Sequence, residues 1–225
     1  MTLLEVDDLA IGYDEAVVCD PITLEMTSGE ILAVVGPNGA GKSTFLRTVV
    51  GTLEAVSGDV RLFGAPRDER TVEFRSAVAT VFDDDSFFPS LTVAEHPRLV
   101  TAGHRVPNAA DVIEGVLDTF GVGELADRFP ASLSSGQRRR FLLASAFARP
   151  RSLLLLDEPE QRLDLAMRRR LSELLLDEKE QGGTVILACH DTEMIRAVAD
   201  RALLITDDGA TSIVSPEQAA SALEN

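Results

Sequence analysis

The sequence predicts an α/β fold in which a mixed, mostly parallel sheet is flanked by helices, with an N-terminal antiparallel β part and an inserted α-helical subdomain. Short apolar runs of strand length recur along the chain, and the run Ile31–Val35 leads through a glycine-rich loop into a helical segment. The earlier runs Leu3–Val6 and Ile22–Met26 indicate further strands, and turn residues separate Ile22–Met26 from Ile31–Val35. Between Leu91 and Leu143 the apolar spacing is helical throughout, which predicts the inserted subdomain.

The remaining elements follow in order. Strand and helix patterns recur on both sides of the helical region, which is typical of an α/β core. Within that region Thr92 and Asn108 are candidate N-caps, because such side chains accept hydrogen bonds from the first helical turn. We predict strands at Asp59–Phe63, Val78–Phe82, Leu153–Leu156, Thr184–Cys189 and Ala202–Thr206, and helices at Phe45–Val50, Leu165–Glu180 and Pro216–Asn225.

Length and composition indicate a single globular domain. The chain has 225 residues, 45% of them hydrophobic, and its mean hydropathy is +0.08, as in an ordinary soluble protein. We expect residues 1–85 and 151–225 to form the α/β core and residues 86–150 to form the helical subdomain. No apolar stretch approaches the about 18 residues of a membrane span, and no signal peptide is recognisable, so we expect a cytoplasmic protein.

The charge balance is strongly acidic. The chain has 37 acidic residues against 21 lysines and arginines, a formal net charge of −16. This excess repels the phosphates of a nucleic acid, so we expect no direct nucleic-acid partner and attribute the acidity to solubility. Cys19 and Cys189 are isolated, without the spacing of a metal or redox site, and we expect both to be small buried residues.

The loop Gly36–Thr44 has the form G-x4-G-K-[ST] of a phosphate-binding loop. Its glycines let backbone N–H groups face phosphates, and the following helix adds partial positive charge. Lys42, one of only two lysines in an arginine-rich chain, would reach the β- and γ-phosphates, and Ser43 would hold Mg²⁺. The sequence therefore predicts a phosphate-loop NTPase core. The residues expected to contact the nucleotide are Gly36, Pro37, Asn38, Gly39, Ala40, Gly41, Lys42, Ser43 and Thr44.

Two adjacent carboxylates follow the apolar run Leu153–Leu156. In a phosphate-loop ATPase the first, Asp157, would orient Mg²⁺ and the second, Glu158, would polarise the attacking water. We expect the strand to continue through them, so that alternation puts their side chains on opposite faces and one strand end serves two roles. Taken alone the pair is weak evidence, because any strand can meet solvent with acidic residues. We interpret it together with the phosphate-binding loop.

Further segments identify a family. Leu133-Ser134-Ser135-Gly136-Gln137 precedes a helix, and His190 ends the strand after Asp157-Glu158. With Gly36–Thr44, these segments resemble the ATP-binding cassette (ABC) ATPases over almost the whole chain. The signature of that family is L-S-G-G-Q, and Ser135 replaces its first glycine with another small residue.

The resemblance implies a role for each matching position. Glu158 is the expected general base, His190 the residue that bonds the γ-phosphate and links it to Glu158, and Tyr13 the aromatic that stacks on adenine. The alternatives are a core or surface tyrosine at Tyr13 and a helix cap at His190. Asp157 and Ser43 are the expected Mg²⁺ ligands, and ATP and Mg²⁺ the expected cofactors.

The resemblance also implies a dimer. Ser134, Gly136 and Gln137 would contact the γ-phosphate of ATP held by the other subunit, although Ser134 also suits a simple helix cap. Asp164 resembles the aspartate that communicates across the dimer, and the preceding residues 160–162 are bulkier than is usual. The other marked side chains have no expected role: we expect exposed histidines at His96 and His104, and solvated helix faces at Arg138–Arg140 and Arg168–Arg170.

One position departs from the family pattern. Relatives have a glutamine after the strand corresponding to Val78–Phe82, where it contacts Mg²⁺ and water and senses the membrane partner. Here that position is Asp83, although the following segment Phe88–Glu95 fits the family. Asp83 could bind Mg²⁺ directly, could act only when a partner moves it inward, or could belong to a solvated acidic loop. We favour the second possibility, in which Asp83 keeps the resting ATPase slow.

The resemblance favours a nucleotide-binding subunit that drives separate membrane permease chains. It would work as a homodimer, or as a pseudo-dimer with a related cassette, with ATP held between the subunits. It would lie at the cytoplasmic face of the membrane through its partner alone, with Phe87-Phe88-Pro89 where the permease docks in relatives. The alternative is a soluble ABC ATPase that assembles or remodels a partner other than a permease. A module that binds ATP without hydrolysis is disfavoured by Glu158 and His190.

Overall fold

The computed structural model describes residues 2–14, 16–82 and 86–224. The strands are β1 (Thr2–Ala10), β2 (Gly12–Tyr13), β3 (Ala16–Val17), β4 (Ile22–Thr27), β5 (Ile31–Val35), β6 (Ser57–Leu62), β7 (Ala65–Pro66), β8 (Val78–Val81), β9 (Leu153–Asp157), β10 (Thr184–Ala188), β11 (Arg201–Ile205) and β12 (Thr211–Val214). The helices are α1 (Lys42–Val50), α2 (Val72–Ala77), α3 (Glu95–Gly103), α4 (Ala109–Thr119), α5 (Ser135–Phe147), α6 (Leu165–Glu180), α7 (Thr192–Val198) and α8 (Pro216–Glu224), with 3-10 turns at Gly123–Leu125 and Pro130–Ser132.

The central sheet has the strand order β12-β11-β5-β10-β9-β8. All neighbouring strands are parallel except β12, which pairs antiparallel with β11. Strands β5, β9 and β10 are buried at every residue, which explains why they are continuous apolar runs in the sequence. The predicted mixed, mostly parallel sheet is confirmed. Because its central strands are parallel, the loops after β5, β9 and β10 meet at one edge, where such sheets bind ligands.

The N-terminal β part is a separate antiparallel sheet of order β4-β1-β6-β7, as predicted. Strand β4 alternates buried and exposed residues, so the sheet has one face toward the protein interior. That face packs against α1: Leu4, Leu9, Phe45 and Leu46 belong to one buried apolar cluster. The phosphate-loop helix is therefore held between two sheets.

Helices α3, α4 and α5 form the predicted helical region, and Ile113, Leu117, Phe120 and Phe141 contribute to its buried core. Thr92 acts as predicted, because its Oγ1 accepts a hydrogen bond from the Glu95 N–H at 3.2 Å. Asn108 precedes α4, but its backbone is left-handed at φ 50° and its side chain makes no capping hydrogen bond. The prediction that Asn108 caps this helix through its side chain is therefore wrong.

Several short elements were missed by the sequence patterns, including the two-residue strand β7 (Ala65–Pro66). Helix α2 has no buried residue, so no apolar stripe marks it. Strand β12 is an edge strand without a fully buried residue, and its antiparallel pairing with β11 holds it in place. The hairpin β2–β3 has only two residues in each strand. None of these segments is long enough for a periodic signal.

Candidate functional site

The loop between β5 and α1 needs its glycines for steric reasons. Gly41 has φ 107°, a left-handed conformation that residues with a Cβ atom rarely adopt. At Gly36 the obstacle is close packing, because an added Cβ would lie 2.3 Å from the Ile205 carbonyl oxygen. The loop backbone is thus set directly against β11, and its N–H groups lead into the N-terminus of α1. This is the geometry of an anion-binding loop.

Lys42 is buried at the start of α1, and its ammonium group is held within the loop. The Nζ atom donates to the carbonyl oxygens of Gly36 and Pro37, both at 2.9 Å. Burial lowers the Lys42 pKa, while the nearby carboxylates of Glu158, Asp157 and Glu160 act to raise it. The structure therefore positions a buried ammonium where the loop would hold the β- and γ-phosphates.

Ser43 and Asp157 form a pair of oxygen ligands. Asp157 is 2% exposed, and burial raises its pKa although the Ser43 hydroxyl donates a hydrogen bond to it. Its Oδ1 atom is buried and has no hydrogen-bond partner in the parts of the chain that the structure describes. An unpaired buried carboxylate oxygen beside a hydroxyl fits Mg²⁺, which prefers hard oxygen ligands and keeps several waters or phosphate oxygens of its own.

Glu158 leaves the strand instead of continuing it. Strand β9 ends at Asp157, and Glu158 has a left-handed backbone with φ 48°. The expectation that both carboxylates alternate along a continuing strand is therefore wrong. The turn is fixed by a hydrogen bond from the Glu158 N–H to the Ala188 carbonyl at 2.8 Å. The side chain thus points along the edge of the sheet toward the loop after β10.

His190 lies in that loop and meets Glu158. The His190 Nε2 atom is 3.2 Å from Glu158 Oε1, and Gln161 donates a hydrogen bond to the other carboxylate oxygen. The alternative, that His190 caps the next helix, is excluded because Asp191 does so by accepting from the Met194 N–H at 3.0 Å. A carboxylate and an imidazole are therefore paired beside the phosphate loop. A cavity of about 590 Å³ is lined by Gly36, Pro37, Asn38, Gln161 and His190, together with residues of β11 and α8.

The residues Ser134–Gln137 begin helix α5. Ser134 is its N-cap and forms a reciprocal capping box with Gln137. Gly136 is required here, since an added Cβ would lie 2.7 Å from the Arg162 carbonyl oxygen. Within the described residues no hydrogen bond joins this segment to Gly36–Thr44. The N-terminus of α5 is a favourable place for an anion, but none of these hydrogen bonds ties it to the phosphate-binding loop of its own chain.

The comparisons with known proteins decide the family. The ABC transporter family matches residues 19–161. The chain belongs to the ABC transporter family. It is 33% identical over 210 residues to the SkfA peptide export ATP-binding protein SkfE of Bacillus subtilis, covering 92% of this chain and 87% of that protein. The zinc transport system ATP-binding protein TroB of Treponema pallidum is 35% identical over 211 residues, with 90% and 77% covered.

Other relatives are longer, and two solved structures share the fold. The spermidine/putrescine import ATP-binding protein PotA of Mannheimia succiniciproducens is 32% identical over 96% of this chain, which spans 58% of that relative. An ATP-binding subunit of an ABC transporter is 24% identical, with TM-score 0.88 and 99% and 100% of the chains covered. The structure of cbiO1 from Clostridium perfringens, part of the ABC transporter complex cbiONQ, is 25% identical, with TM-score 0.78 and 96% and 90% covered. This chain is an ABC ATPase subunit that binds and hydrolyses ATP.

In this ABC ATPase Tyr13 lies at the phosphate loop. Its side chain is not part of the core, because the residue is 55% exposed on the hairpin β2–β3. Its hydroxyl oxygen is 3.5 Å from Thr44 Oγ1. An exposed ring beside the loop suits stacking on a planar base, so the predicted adenine contact remains a prediction with favourable geometry. Asp83 lies outside the described residues.

Asp164 is the N-cap of α6 and accepts from the Met167 N–H at 2.9 Å. It also forms an ion pair with Arg140. The prediction of a solvated face at Arg138–Arg140 is wrong for Arg139, which is 3% exposed and donates to the Phe82 carbonyl at 2.9 Å and to the Asp157 carbonyl. Arg139 thus connects α5 with the ends of β8 and β9. Of residues 168–170, Arg168 is half-buried and pairs with Asp191 at 3.2 Å.

His96 is buried, so the prediction that it is exposed is wrong. Its ring packs between Phe88 and Phe141, with centroid distances of 5.3 and 5.1 Å. His104 is half-buried rather than exposed. Both histidines line a groove of about 660 Å³ between α3, α5 and strand β8, and Phe88 is exposed at this groove. Cys19 and Cys189 are buried and unpaired, as predicted.

Glu160 is the site residue that the sequence patterns missed. It is buried after β9, and its Oε1 accepts a hydrogen bond from the His190 N–H at 2.8 Å. The sequence offered one signal for this residue, namely an acidic side chain three positions after Asp157, in a segment whose residues are bulkier than is usual in the family. Its contact with His190 joins residues that are 30 positions apart, so the pattern alone does not reveal it.

Proposed function

We propose that this ABC ATPase hydrolyses ATP with Mg²⁺ as a dimer and drives a separate membrane permease. The observation that carries the proposal is the convergence of Lys42, Ser43–Asp157 and Glu158–His190 at the edge of the central sheet where β5, β9 and β10 end. Each group has a distinct chemical task there. The relatives SkfE and TroB, named for export and transport, support the link to a permease.

Binding and orientation come first. The loop N–H groups and the start of α1 hold the triphosphate, and the Lys42 ammonium exchanges its contacts with loop carbonyl oxygens for β- and γ-phosphate oxygens. Ser43 Oγ and Asp157 Oδ1 are the protein ligands for Mg²⁺, which when bound neutralises charge on the phosphate oxygens. Tyr13 contacts the base.

Hydrolysis then requires a general base. The oxygen of a water molecule bonds to the γ-phosphorus while the bond from that phosphorus to the β–γ bridging oxygen breaks, leaving ADP and phosphate. Glu158 accepts the proton from the water, and His190 orients the carboxylate through Nε2 and contacts the γ-phosphate. In the structure Gln161 donates a hydrogen bond to one carboxylate oxygen of Glu158, and His190 Nε2 lies 3.2 Å from the other.

The dimer supplies the remaining donors. Ser134, Gly136 and Gln137 begin α5 at the surface of the helical region. We propose that this N-terminus contacts the γ-phosphate bound to the loop of a second subunit, with Asp164 beside the same interface. A homodimer, or a pseudo-dimer with a related cassette, then holds ATP between the subunits.

The groove between α3, α5 and β8 is the proposed docking site of the permease. It combines apolar walls from Phe88, Leu99 and Leu142 with a volume of about 660 Å³. No helix of the described residues has the length and hydropathy of a membrane span. Attachment to the cytoplasmic face of the membrane through the permease is therefore part of the proposal.

The variant Glu158→Gln tests the proposed dimer. Glutamine keeps the size of Glu158 but cannot take the proton, so ATP remains bound and two subunits stay associated. Size-exclusion chromatography with ATP and Mg²⁺ should show a dimer, and the variant Glu158→Gln with Ser134→Arg should remain monomeric because the added side chain blocks the signature. A Glu158→Gln monomer that demonstrably binds ATP would contradict the sandwich.

A second test separates the two classes of partner. Expressed with its neighbouring genes in its own host, a transporter subunit should co-purify with membranes and lose that association when Phe88→Asp places a charge at the groove. An assembly ATPase would stay in the soluble fraction in both forms. The second result would support a non-permease partner and leave the ATPase assignment unchanged.

A further inference from the structure

Glu160 is a buried acid whose structural position is unusual. It lies in the turn after β9, is 4% exposed, and directs Oε1 to the backbone N–H of His190 at 2.8 Å. Its other oxygen, Oε2, is buried without a hydrogen-bond partner in the described part of the chain. Burial raises the Glu160 pKa, and the hydrogen bond from the His190 N–H opposes that shift. Burying an acid costs free energy, and the contacts with the His190 N–H and the Cys189 thiol offset part of that cost.

Three contacts join the segment after β9 to the end of β10 and the loop that follows it. The Glu158 N–H donates to the Ala188 carbonyl at 2.8 Å, the His190 Nε2 lies 3.2 Å from Glu158 Oε1, and the His190 N–H donates to Glu160. The first contact fixes the backbone before His190, and the last fixes the backbone of His190 itself. The imidazole reaches Glu158 from an anchored main chain.

An anchored main chain matters because catalytic geometry is sensitive to small displacements. A shift of about 1 Å in a positioned group can reduce turnover about 100-fold. His190 is followed by Asp191, which caps α7, so the backbone on its C-terminal side is held by a helix. On its N-terminal side strand β10 ends at Ala188, and the last backbone hydrogen bond before His190 is that of the Cys189 N–H to the Val34 carbonyl at 3.3 Å. The side chain of Glu160 supplies a hydrogen bond at the residue between them.

We propose that Glu160 is a positioning residue for ATP hydrolysis: it holds the His190 backbone so that the imidazole stays against Glu158. The inference rests on the role proposed above for His190. Glu160 itself touches neither the phosphates nor the water, and it acts through His190 alone. Its effect should therefore disappear when the imidazole is absent.

The test compares two replacements of nearly equal size. Glu160→Met fills the same space and removes the acceptor, whereas Glu160→Gln retains an oxygen that can accept from the His190 N–H. We expect Glu160→Met to lower kcat by about 10- to 100-fold, with the KM for ATP changed less than about twofold. Glu160→Gln should recover most of the turnover. Thermal unfolding of each variant shows that it is folded.

A double-mutant cycle gives the decisive comparison. His190→Ala lowers kcat by itself, and adding Glu160→Met to it should lower kcat by no more than about a further twofold. If Glu160→Met causes the same loss with and without His190, the positioning role is wrong. An unchanged kcat in Glu160→Met would also contradict the positioning role. If His190→Ala retains wild-type turnover, the proposed role of His190 fails first, which is a separate outcome.

Histidine NMR gives a readout that a purely structural role would not change. The chain has only three histidines, and the signals of His190 are those that vanish in His190→Ala. Glu160→Met should move or broaden the ring signals of His190 and leave those of His96 and His104 in place. Glu160→Gln should retain the wild-type positions of all three. Unmoved His190 signals in the folded methionine variant would overturn the proposal.

Discussion

At the scale of single residues, the site depends on charged side chains that are buried before any ligand arrives. Lys42 and Asp157 are both buried. Burial lowers the pKa of Lys42 and raises the pKa of Asp157, so in both cases it favours the neutral form. Each is partly satisfied within the chain, Lys42 by loop carbonyls and Asp157 by Ser43. Because those internal contacts are with neutral groups, the proposed ligands, triphosphate for Lys42 and Mg²⁺ for Asp157, would supply the opposite charge that each side chain lacks.

Lys42→Ala should abolish tight ATP binding while leaving the fold intact. Charge-assisted hydrogen bonds contribute about 1.5–3 kcal/mol each, so we expect ATP affinity to fall by roughly 10- to 100-fold or more. Titration calorimetry with MgATP measures the loss. The matched control is Lys179→Ala at the only other lysine, which pairs with Asp200 at 2.5 Å at the end of α6, and it should bind ATP normally. Normal affinity in Lys42→Ala would contradict the phosphate-loop assignment.

Asp83→Gln should hydrolyse ATP faster than the wild type in the absence of any partner. The resemblance aligns Asp83 with a glutamine of relatives, and an aspartate is one methylene shorter and negatively charged, which we expect to slow hydrolysis of a bound triphosphate. Steady-state ATPase assays of the isolated subunit at saturating Mg²⁺ measure the effect. Equal rates would indicate a solvated acidic loop, and a slower variant would indicate that Asp83 is a working Mg²⁺ ligand.

At the scale of elements, helix α5 couples the helical region to the nucleotide core. Its N-terminus carries the signature, and one turn later Arg139 reaches the carbonyl oxygens at the ends of β8 and β9. The Arg139 charge also lowers the pKa of Asp157, against the larger effect of burial. Movement of α5 would therefore change the position of Asp157, the proposed Mg²⁺ ligand, as well as that of residues Ser134–Gln137.

Arg139→Met should destabilise the protein by about 2–4 kcal/mol, because it leaves buried carbonyl oxygens without their charged donor. Urea unfolding followed by circular dichroism measures the change. Arg169→Met is the matched control, since Arg169 is exposed on α6 and its loss should cost less than about 0.5 kcal/mol. Equal stabilities of the two variants would show that the Arg139 contacts add nothing to the fold.

At the scale of the whole molecule, charge opposes the proposed dimer. Each subunit has a formal net charge of −16, and bound nucleotide adds further negative charge. Two such subunits repel one another at long range, and salt screens this repulsion over about 10 Å at about 0.1 M. The attractive contacts at the ATP interface are short-range by comparison.

The dimer of Glu158→Gln with MgATP should therefore be more populated at high salt than at low salt. Sedimentation velocity at about 0.02 M and about 0.3 M NaCl compares the two conditions. ATP affinity measured under the same conditions serves as the control, because weaker nucleotide binding would by itself reduce association. A dimer that dissociates at high salt although ATP stays bound would mean that attractive ion pairs between the subunits dominate.

The sequence by itself determined the sheet, and it predicted the chemistry at the edge of that sheet. Strands β5, β9 and β10 are buried on both faces, so all their residues except Thr184 and Asp157 are apolar and the apolar runs stand out in the sequence. The phosphate loop is equally easy to recognise in the sequence, because Gly36 and Gly41 meet local steric demands that few other residue types satisfy. Glu158 and His190 could be placed by family resemblance, and the structure brings them within 3.2 Å.

Only the tertiary structure decided which polar side chains are buried. Arg139 is the middle of three arginines, and composition does not reveal that it alone points at the strand ends. His96 is buried because Phe88 and Phe141 cover it, and Glu160 because the loop of His190 folds over it. Burial of a polar group depends on partners far away in sequence. The local periodicity of apolar residues predicts which face of a helix or strand is buried, but it does not predict which distant residues pack against that face.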